Sequence, residues 1–544
     1  MTESGFKIAL VVDEKAHRGE ARNLLAGLEA AHPNICIEVI ALKTDLKLPY
    51  RLKSLPNSIF KTLPLAKTMS DILKLRALSF VFAFEKRLIS KRRHYKWLKN
   101  NASLKVLSST ESDQSFDAVI WLSNQNHRTA APHIKGDRLS LSFGASPDLF
   151  HGALHNQDSA AFYINIIENN ADQIRPIITG SIMTANRWLL THANLTLKAH
   201  AFLIKLIGER ADRGHWIFRD GARSLDLEAK AYIPSIGDIA AYAFKSFLKH
   251  PVQKFWDKSI RRQAPLWSIS VMRGDGLNQN LNTATRIQNP KNRFLADPYV
   301  ITVDGQSYCF VEDFFFDAKK GKISAFKLSG LNISASNPSV TLAPEATPRV
   351  VLEEGFHLSF PFIFQQNGAT YMIPETSAAK QIRLYKATRF PYSWKLEKIL
   401  MDHVDAADTM VFEHNNLWYM LTNICSANRS DHQSELHLFS ATDFMSDMWV
   451  PAAQNPIIFN SKKARNAGFF RRDQNIYRVN QVQARAQYGY AFEVNQIIEI
   501  TPNQYSETCI KRVEPEKKTG MARTHHYHFN GDYTVFDHSF IEPR

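Results

Sequence analysis

Five stretches in the second half of the chain share one order of apolar and polar positions. Each begins as an apolar run, passes through a short polar turn and continues as a second apolar run with an aromatic residue. The five copies are residues 296–313, 359–376, 407–423, 466–481 and 525–538. Asp304-Gly305, Asn367-Gly368 and Asn415-Asn416 occupy the turns of the first three copies. Such dipeptides between apolar runs predict β-hairpins.

The spacing of these copies predicts a five-bladed β-propeller. The copies begin roughly 48 to 63 residues apart, which leaves room for four strands in each. We expect the propeller to cover residues 265–544, with 265–275 adding a strand that closes the ring. The alternative is a β-sandwich in which the hairpins match by coincidence.

The first half of the chain alternates between strand and helix patterns. Helical periodicity covers residues 17–31, and short apolar runs predict strands at 6–12, 36–42, 105–109, 116–122 and 139–143. The alternation predicts an open, mainly parallel α/β sheet with ligands at its carboxyl edge. No GxGxxG follows the first strand, so we expect no dinucleotide cofactor.

The predicted chain is therefore multidomain. We expect an α/β domain of Rossmann type at residues 1–210 and a basic amphipathic helical linker at 211–264, followed by the all-β propeller. With 44% hydrophobic and 22% charged residues, the composition is that of a globular protein. The start of the sequence lacks a secretory pattern, and the four cysteines lack metal-ligand spacing, which favours a cytoplasmic location and reduced thiols.

The net charge of +15 is concentrated in two stretches. Lysines and arginines alternate with aromatic residues over Lys86–Lys99 and again over Lys245–Arg262. Basic helices with an aromatic face bind anionic membrane surfaces, so we expect peripheral attachment at the inner face of the membrane. A solvated helix packed on a neighbouring domain is the alternative. Nucleic acid is not an expected partner, because no RNP, zinc or helix-turn-helix signature is present.

The predicted propeller brings both ends of each hairpin to one mouth of the central channel. Asp297, Glu375 and Asp408 are then expected to converge there as catalytic residues, because a carboxylate at a buried strand end is costly unless it is bonded or used. The alternative is that these acids only tie blades together through backbone amides. We predict seven further substrate-binding residues near the mouth: Arg293, His357, Ser359, Arg465, Asn466, Gln481 and His525.

Two resemblances bear on the propeller. The segment RFLADPYVITVDG around Asp297 resembles the first-blade motif of five-bladed glycoside hydrolases of the arabinanase and β-xylosidase group. That resemblance implies a general base at Asp297, a second, tuning aspartate, and a general acid at Glu375 or, as its rival, Glu312. Residues 357–377 and 389–400 look like the N-terminal propeller of glucosamine inositolphosphorylceramide transferase, a glycoside hydrolase family 43-like propeller.

A third resemblance concerns residues 116–205, which are similar to the formyltransferase fold of methionyl-tRNA and sugar N-formyltransferases. That family uses an asparagine, a histidine and an aspartate. Asp172 stands where the aspartate is expected, but Gly144 stands where the histidine is expected. We therefore expect a degenerate domain that does not transfer formyl groups, because the general acid–base group is missing.

Together these features predict a carbohydrate-active protein. We expect it to act on a cell-envelope or exported polysaccharide or glycolipid precursor, by glycosyl transfer or glycoside cleavage at the propeller mouth. The expected partner is a carbohydrate or a lipid-linked sugar, without a cofactor or a metal. The alternatives are a non-catalytic glycan-binding scaffold and a formyl- or acyltransferase that acts on an amino sugar.

Overall fold

The computed structural model divides the chain into two compact units, Met1–Gln253 and Lys254–Arg544. We describe each unit by itself. The residues described are 6–13, 18–42, 69–91, 114–122, 133–143, 149–167, 174–219, 234–256, 263–329, 331, 333, 339–340, 347–426, 431–516 and 521–543.

The first unit contains one six-stranded mixed sheet with the order β2-β1-β3-β4-β5-β6. Its strands are β1 Lys7–Asp13, β2 Cys36–Leu42, β3 Gln114–Trp121, β4 Ile134–Phe143, β5 Ser159–Ile167 and β6 Arg175–Met183. β1 pairs in parallel with β2 and β3, and β3 with β4. β4–β5 and β5–β6 are antiparallel.

The sheet is therefore mixed, and the expectation of a mainly parallel sheet needs this correction. Only the residues between Ile167 and Arg175 connect β5 to β6, and a parallel crossover needs a dozen or more. The four predicted strands that fall on described residues are present as β1 to β4, whereas 105–109 lies outside the described residues. A Rossmann-type domain and the boundaries at 210 and 264 remain predictions.

A buried carboxyl group joins three helices of the first unit. The described helices are α1 Arg18–Ala31, α2 Met69–Ser90, α3 Leu149–Leu154, α4 Trp188–Arg213, α5 Ile236–Phe244, which continues through a π-helical turn at Lys245–Lys249, and α6 His250–Phe255. Glu85 of α2 accepts a hydrogen bond from the Tyr242 hydroxyl of α5 at 2.8 Å and another from the Leu189 backbone N–H of α4 at 3.1 Å. Burial raises the pKa of Glu85 to about 7.

None of the described helices combines the length and the apolarity needed to cross a bilayer.

The second unit contains the five predicted blades. From the channel outwards, blade one contains β9 Arg293–Val303, β10 Gln306–Phe315, β11 Lys320–Lys327 and β13 Arg349–Leu352, and blade two contains β14 Ser359–Gln366, β15 Ala369–Glu375, β16 Gln381–Arg389 and β17 Ser393–Asp402. Blade three contains β18 Ala406–His414, β19 Leu417–Ile424, β20 Glu435–Ala441 and β21 Val450–Pro451, and β22 Ile458–Phe459 also pairs with β20. Blade four contains β23 Asn466–Arg472, β24 Asn475–Ala484, β25 Gln487–Ile500 and β26 Tyr505–Val513. Each predicted hairpin forms the two inner strands of its blade. The prediction of a five-bladed propeller is confirmed.

The fifth blade closes the ring with strands from both ends of the unit. Its members are β7 Gln263–Arg273, β8 Thr285–Ile287, β12 Ser339–Val340, β27 Met521–Arg523, β28 Tyr527–Phe529 and β29 Tyr533–Pro543. β29 pairs antiparallel with β7 along the whole of β7. The strand predicted at 265–275 therefore closes the ring, because main-chain hydrogen bonds join the first long strand of the unit to its last strand within the fifth blade.

Each of the first three inner strands contains a bulge at the same end of its hairpin. At each bulge, two residues of the inner strand lie opposite one residue of the next strand. The first bulged residue is Asp297 in blade one, Phe360 in blade two and Asp408 in blade three. These residues have φ values of +47°, +44° and +49°. A bulky side chain such as phenylalanine rarely adopts this left-handed region, and strain of this kind concentrates at functional sites.

Aromatic rings fill the channel beyond the bulges. Tyr299, Phe362, Phe412, Phe469 and His528 come from the inner strands of all five blades and are buried. Tyr299 stacks on His528 with 3.8 Å between ring centroids, and Phe412 stacks on Phe469 at 4.8 Å. Phe362 contacts both Tyr299 and Phe469 edge-on. We call these five rings the aromatic plug.

We expect Glu85→Gln to change how the stability of the first unit depends on pH. Since the pKa of Glu85 is about 7 in the folded unit and 4.5 ordinarily, the folded state binds this proton more tightly. Stability should therefore fall as pH rises from 4.5 to about 7 and level off above, and the variant should lose this decline. Hydrogen exchange of α2 and α4 amides, corrected for intrinsic rates, measures the opening free energy. The exposed Glu29→Gln is the control, and an unchanged pH profile in Glu85→Gln would contradict the assignment.

Candidate functional site

The mouth at the bulge end of the propeller gathers five carboxyl groups around one arginine. The three predicted catalytic residues, Asp297, Glu375 and Asp408, are all there, together with Glu312 and Asp537. Hairpin geometry explains the convergence: Glu312 pairs with Ala296 next to the first bulge, and Glu375 pairs with Ser359 next to the second. Glu312 and Glu375 thus hold equivalent positions in neighbouring blades.

Arg465, predicted to bind substrate, lies between two of the acids. Its Nε is 2.6 Å from Asp408 Oδ2, and its Nη2 is 3.3 Å from Glu375 Oε2. Burial disfavours the charged form of both partners in the Arg465–Asp408 pair. It acts to raise the pKa of the Asp408 carboxyl group and to lower the pKa of the Arg465 guanidinium. We assign the ionised pair, because two direct N–H···O contacts join it and arginine keeps its proton. The neighbouring acids raise the pKa of Arg465 above its ordinary value.

Asp297 is connected to the fifth blade through His525. Nδ1 of His525 is 2.8 Å from Asp537 Oδ1, and its Nε2 is 3.5 Å from Asp297 Oδ1. Burial lowers the pKa of His525, but the charges of Asp537 and Asp297 outweigh it and raise the pKa overall. Burial in turn raises the pKa of Asp297, but His526, whose Nδ1 is 3.5 Å from Asp297 Oδ1, and the charges of His525 and Arg465 hold it below its usual range. The arrangement favours an ionised Asp297 beside an imidazolium.

Glu312 is in the opposite electrostatic state. Burial raises its pKa well above the ordinary value, and the charges of Asp297, Glu375, Asp537 and Asp408 raise it further. His357 Nε2 is 3.5 Å from Glu312 Oε1, while His357 Nδ1 accepts the Gly321 backbone N–H at 2.9 Å. That bond places the proton of a neutral His357 on Nε2, towards Glu312. Burial lowers the pKa of His357, which favours this neutral form.

The mouth acids also tie blades together. Asp537 Oδ2 accepts the Asp297 N–H at 3.1 Å, and Asp297 Oδ2 accepts the Phe360 N–H at 3.3 Å. Asn423 makes the equivalent bond to the Asn466 N–H at 2.8 Å. The alternative considered for these acids, bonding to backbone amides, therefore holds for one oxygen of Asp297. The other oxygen faces the histidines.

Four of the predicted substrate-binding residues do not bond the carboxylates of the mouth acids and contact other groups instead. Arg293 pairs with Asp313 at 2.8 Å, and Asn466 donates to the backbone oxygens of Asp408 and Leu421. Gln481 donates to the Tyr488 hydroxyl at 3.1 Å. The fourth residue, Ser359, is the buried ladder partner of Glu375. Whether any of them binds a substrate remains a prediction.

Three side chains at the mouth were not among the predicted site residues. Trp267 stacks on His525 with 4.0 Å between ring centroids, and Tyr488 lies beneath the Arg465 guanidinium at 5.2 Å. Asp537 is the third. Its position at the end of the fifth hairpin copy was a sequence signal for it, whereas no repeat position marks Tyr488 or Trp267.

Asp297, His525 and Asp537 are also the described residues that could hold a metal ion. Their ligand atoms lie within 4.8 Å of one another. However, Asp537 Oδ1 already accepts the backbone N–H groups of His525 and His526, at 3.1 and 2.9 Å. These bonds use the lone pairs that a cation would need, so the cluster fits an ion-pair network better than a metal centre.

A separate cavity of about 680 Å³ lies at the hairpin-turn end of blades two and three. Its lining includes Gln365, His414, Asn415 and Trp418. The aromatic plug contributes Tyr299, Phe362, Phe412 and Phe469 to its wall, so the plug separates this cavity from the acidic mouth. Asp172 and Gly144, which carry the formyltransferase prediction, lie outside the described residues.

Comparison with known proteins identifies relatives of the propeller unit. The family described as "Glucosamine inositolphosphorylceramide transferase 1, N-terminal" matches residues 280–533. The transferase of that name from Arabidopsis thaliana is 28% identical over 293 residues, 48% of this chain and 36% of the relative. That from Oryza sativa subsp. japonica is 29% identical over 252 residues, 45% of this chain and 32% of the relative. The chain thus spans about a third of the length of these relatives.

Similar solved structures include two proteins that act on arabinose polymers by name. One is an α-L-arabinofuranosidase from Lactobacillus brevis, with a TM-score of 0.33 and 13% identity over 47% of this chain and 92% of that chain. The other is an α-L-arabinanase from Cellvibrio cellulosa in complex with arabinohexaose, with a TM-score of 0.29 and 15% identity over 46% of this chain and 90% of that chain.

We expect Arg465→Met to destabilise the propeller by about 3–5 kcal/mol, because it leaves Asp408 and Glu375 buried without their cation. Arg512→Met is the control, since the Arg512 side chain is 41% exposed in its pair with Glu493. That variant should lose less than about 1 kcal/mol. Denaturant unfolding of the propeller transition measures both. Equal losses in the two variants would contradict a special role for Arg465.

We expect chelation with EDTA to leave the melting temperature of the propeller unchanged. The reason is that Asp537 is already saturated by N–H donors. Differential scanning calorimetry before and after EDTA, and then with added Ca²⁺ or Zn²⁺, makes the measurement. A rise of several degrees on adding either ion, absent in Asp537→Asn, would show that the cluster binds a metal.

Proposed function

We propose that the propeller mouth binds a sugar and cleaves or transfers a glycosidic bond by general acid–base catalysis. The observation that carries this proposal is the opposite electrostatic state of two acids in one site. The positive groups around Asp297 lower its pKa and favour its ionised form, whereas burial beside the other mouth acids raises the pKa of Glu312 and favours its protonated form. Acids whose environments push their pKa values apart are suited to act as base and acid in the same reaction.

In this proposal Asp297 Oδ1 takes the proton from the attacking water or hydroxyl group. His525 keeps Asp297 charged and fixes its position, because it bridges Asp297 and Asp537. The bulge at Asp297 fixes the backbone, and the Phe360 N–H holds the other oxygen. Base and support are therefore preorganised before the substrate binds.

Glu312 supplies the proton to the leaving oxygen. The geometry favours Glu312 over Glu375 as the acid, since Glu375 already bonds Arg465 and accepts from the Ser377 hydroxyl at 2.8 Å. Glu375, Asp408 and Arg465 are better suited to orient the sugar through its hydroxyl groups. Trp267 and Tyr488 add aromatic surface at the mouth, of the kind on which sugar rings pack.

The names of the relatives support the proposed substrate class. Their names refer to glucosamine and inositolphosphorylceramide, a sugar and a glycolipid precursor. We therefore propose a glycolipid or a cell-envelope or exported polysaccharide precursor as the substrate of this chain. A carbohydrate-related role is the broader form of the same proposal.

A non-catalytic glycan-binding scaffold is the second candidate. The bonds from Asp537 and Asp297 to backbone N–H groups of neighbouring blades favour it, because they give these acids a structural use. Both candidates bind the same ligand at the same mouth, so turnover distinguishes them. No contact of a described residue favours the third candidate, formyl or acyl transfer.

The test is a screen of nucleotide-sugars and aryl glycosides for turnover by the full chain. Asp297→Asn and Glu312→Gln should each lower kcat by about 10²–10⁴ while leaving ligand affinity nearly unchanged. Because Glu312 acts in its protonated form, activity should fall as pH rises through its raised pKa, and Glu312→Gln should lose this alkaline limb. Asp402→Asn, at an exposed position of the second blade, is the control.

The outcomes separate the candidates. Sugar binding without turnover in wild type, weakened by Arg465→Lys, would establish the scaffold and contradict catalysis. A pH profile that Glu312→Gln leaves unchanged would remove Glu312 as the acid. Sugar binding that no mouth variant affects would contradict both candidates.

A further inference from the structure

Helix α2 of the first unit is apolar on both of its faces. Its inner face is buried, and Phe82 there contacts Trp188 of α4 with 5.5 Å between ring centroids. Its outer face exposes Leu73, Phe80 and Phe84, and the Phe80 side chain is 75% exposed. Exposed apolar side chains that lie together on one helix face mark an interaction surface, so a partner is expected on the outer face of α2.

The helix formed by α5 and α6 has a second exposed apolar stripe. Phe244, Leu248 and Val252 follow one another at intervals of four residues, and each is 58% exposed. Ile239 and Tyr242 lie on the opposite, inner face of this helix and are buried. The spacing places the three exposed side chains in one row along the helix.

The two stripes lie side by side. Phe84 of the α2 stripe contacts Phe247, the residue before Leu248, edge-on with 5.0 Å between ring centroids. The buried hydrogen bond between Glu85 and Tyr242 holds the two helices together directly beneath. We call the exposed faces of α2 and of α5–α6 the two-helix surface.

Basic residues lie along the two-helix surface. Arg76, Arg87 and Lys91 follow the same helical spacing as Leu73, Phe80 and Phe84, and Lys249 is adjacent to Leu248. The two acids of α2 do not oppose them, because Asp71 pairs with Lys74 at 3.1 Å and Glu85 is buried. In the sequence, Arg92, Arg93, Lys96 and Lys99 follow directly.

We propose that the two-helix surface binds the surface of an anionic lipid bilayer. Phe80, Phe84, Phe244, Leu248 and Val252 enter the boundary between headgroups and acyl chains, and the basic residues contact phosphate groups. A second copy of the chain would cover the apolar residues but bring the same positive charges together, which opposes self-association. An anionic bilayer satisfies both the apolar and the basic groups. The surface belongs to the first unit, so this inference does not depend on the sugar chemistry proposed for the propeller.

The test measures how the full chain partitions onto vesicles of phosphatidylcholine, with and without about a quarter of phosphatidylglycerol. Wild type should bind the anionic vesicles, and salt should weaken that binding. Phe80→Gln and Leu248→Gln should each lower the partition coefficient about tenfold, because each removes one inserted apolar side chain. Arg76→Glu and Lys249→Glu should each lower it severalfold on anionic vesicles only.

The controls use equally exposed apolar residues of the propeller. Met448→Gln and Ile498→Gln should bind like wild type, since these side chains, 75% and 60% exposed, lie outside the two-helix surface. Circular dichroism checks that every variant is folded. Loss of binding in the control variants would contradict the assignment of the surface.

Three further outcomes would overturn the proposal. The first is no binding to anionic vesicles at low salt. The second is equal binding to both vesicle types without a salt effect. The third is that wild type does not bind vesicles and forms a dimer in analytical ultracentrifugation. If Phe80→Gln or Leu248→Gln dissociated that dimer, the surface would be assigned to self-association.

Discussion

The propeller depends on polar bonds that pass from one blade to the next at the acidic mouth. A side-chain oxygen of one blade accepts a backbone N–H from the inner strand of its neighbour, as Asp537 does for Asp297, Asp297 for Phe360 and Asn423 for Asn466. Unpaired N–H groups in a buried bulge would be costly, so the acids are needed where the bulges are. The bulges in turn hold the acids at the mouth.

This arrangement means that folding and the proposed chemistry use the same groups. A ring of buried carboxylates would be unstable without cations, and Arg465 and His525 supply positive charge from the fourth and fifth blades. Their unequal placement leaves Asp297 next to positive charge and Glu312 next to negative charge. The opposite directions in which the pKa values of the two acids are shifted therefore result from how the blades are joined.

The sequence predicted the parts that local patterns encode. Hairpin dipeptides and a recurring spacing of roughly 48 to 63 residues indicated the blades, and hairpin register brought Asp297, Glu375 and Asp408 to one mouth. Contacts between distant segments left no local signal: Asp297 and Asp537 are 240 residues apart, and nothing near Arg465 indicates that it bonds both Asp408 and Glu375. The choice between Glu312 and Glu375 also needed three-dimensional surroundings, because both occupy the same repeat position. In the first unit, local patterns gave β1 to β4 but neither β5 and β6 nor their antiparallel direction.

The aromatic plug limits what can reach the acids. Because the five rings are buried and pack against one another beyond the bulges, a ligand that reaches the acids along the channel axis has to come from the mouth side. A glycan bound there as proposed would not thread through the aromatic plug, so its terminal residue would be the part that reaches the acids. In the proposed reaction the product would leave by the same side before another chain end could enter. A site built in this way would shorten or extend a glycan one terminus at a time, rather than cut it in the middle.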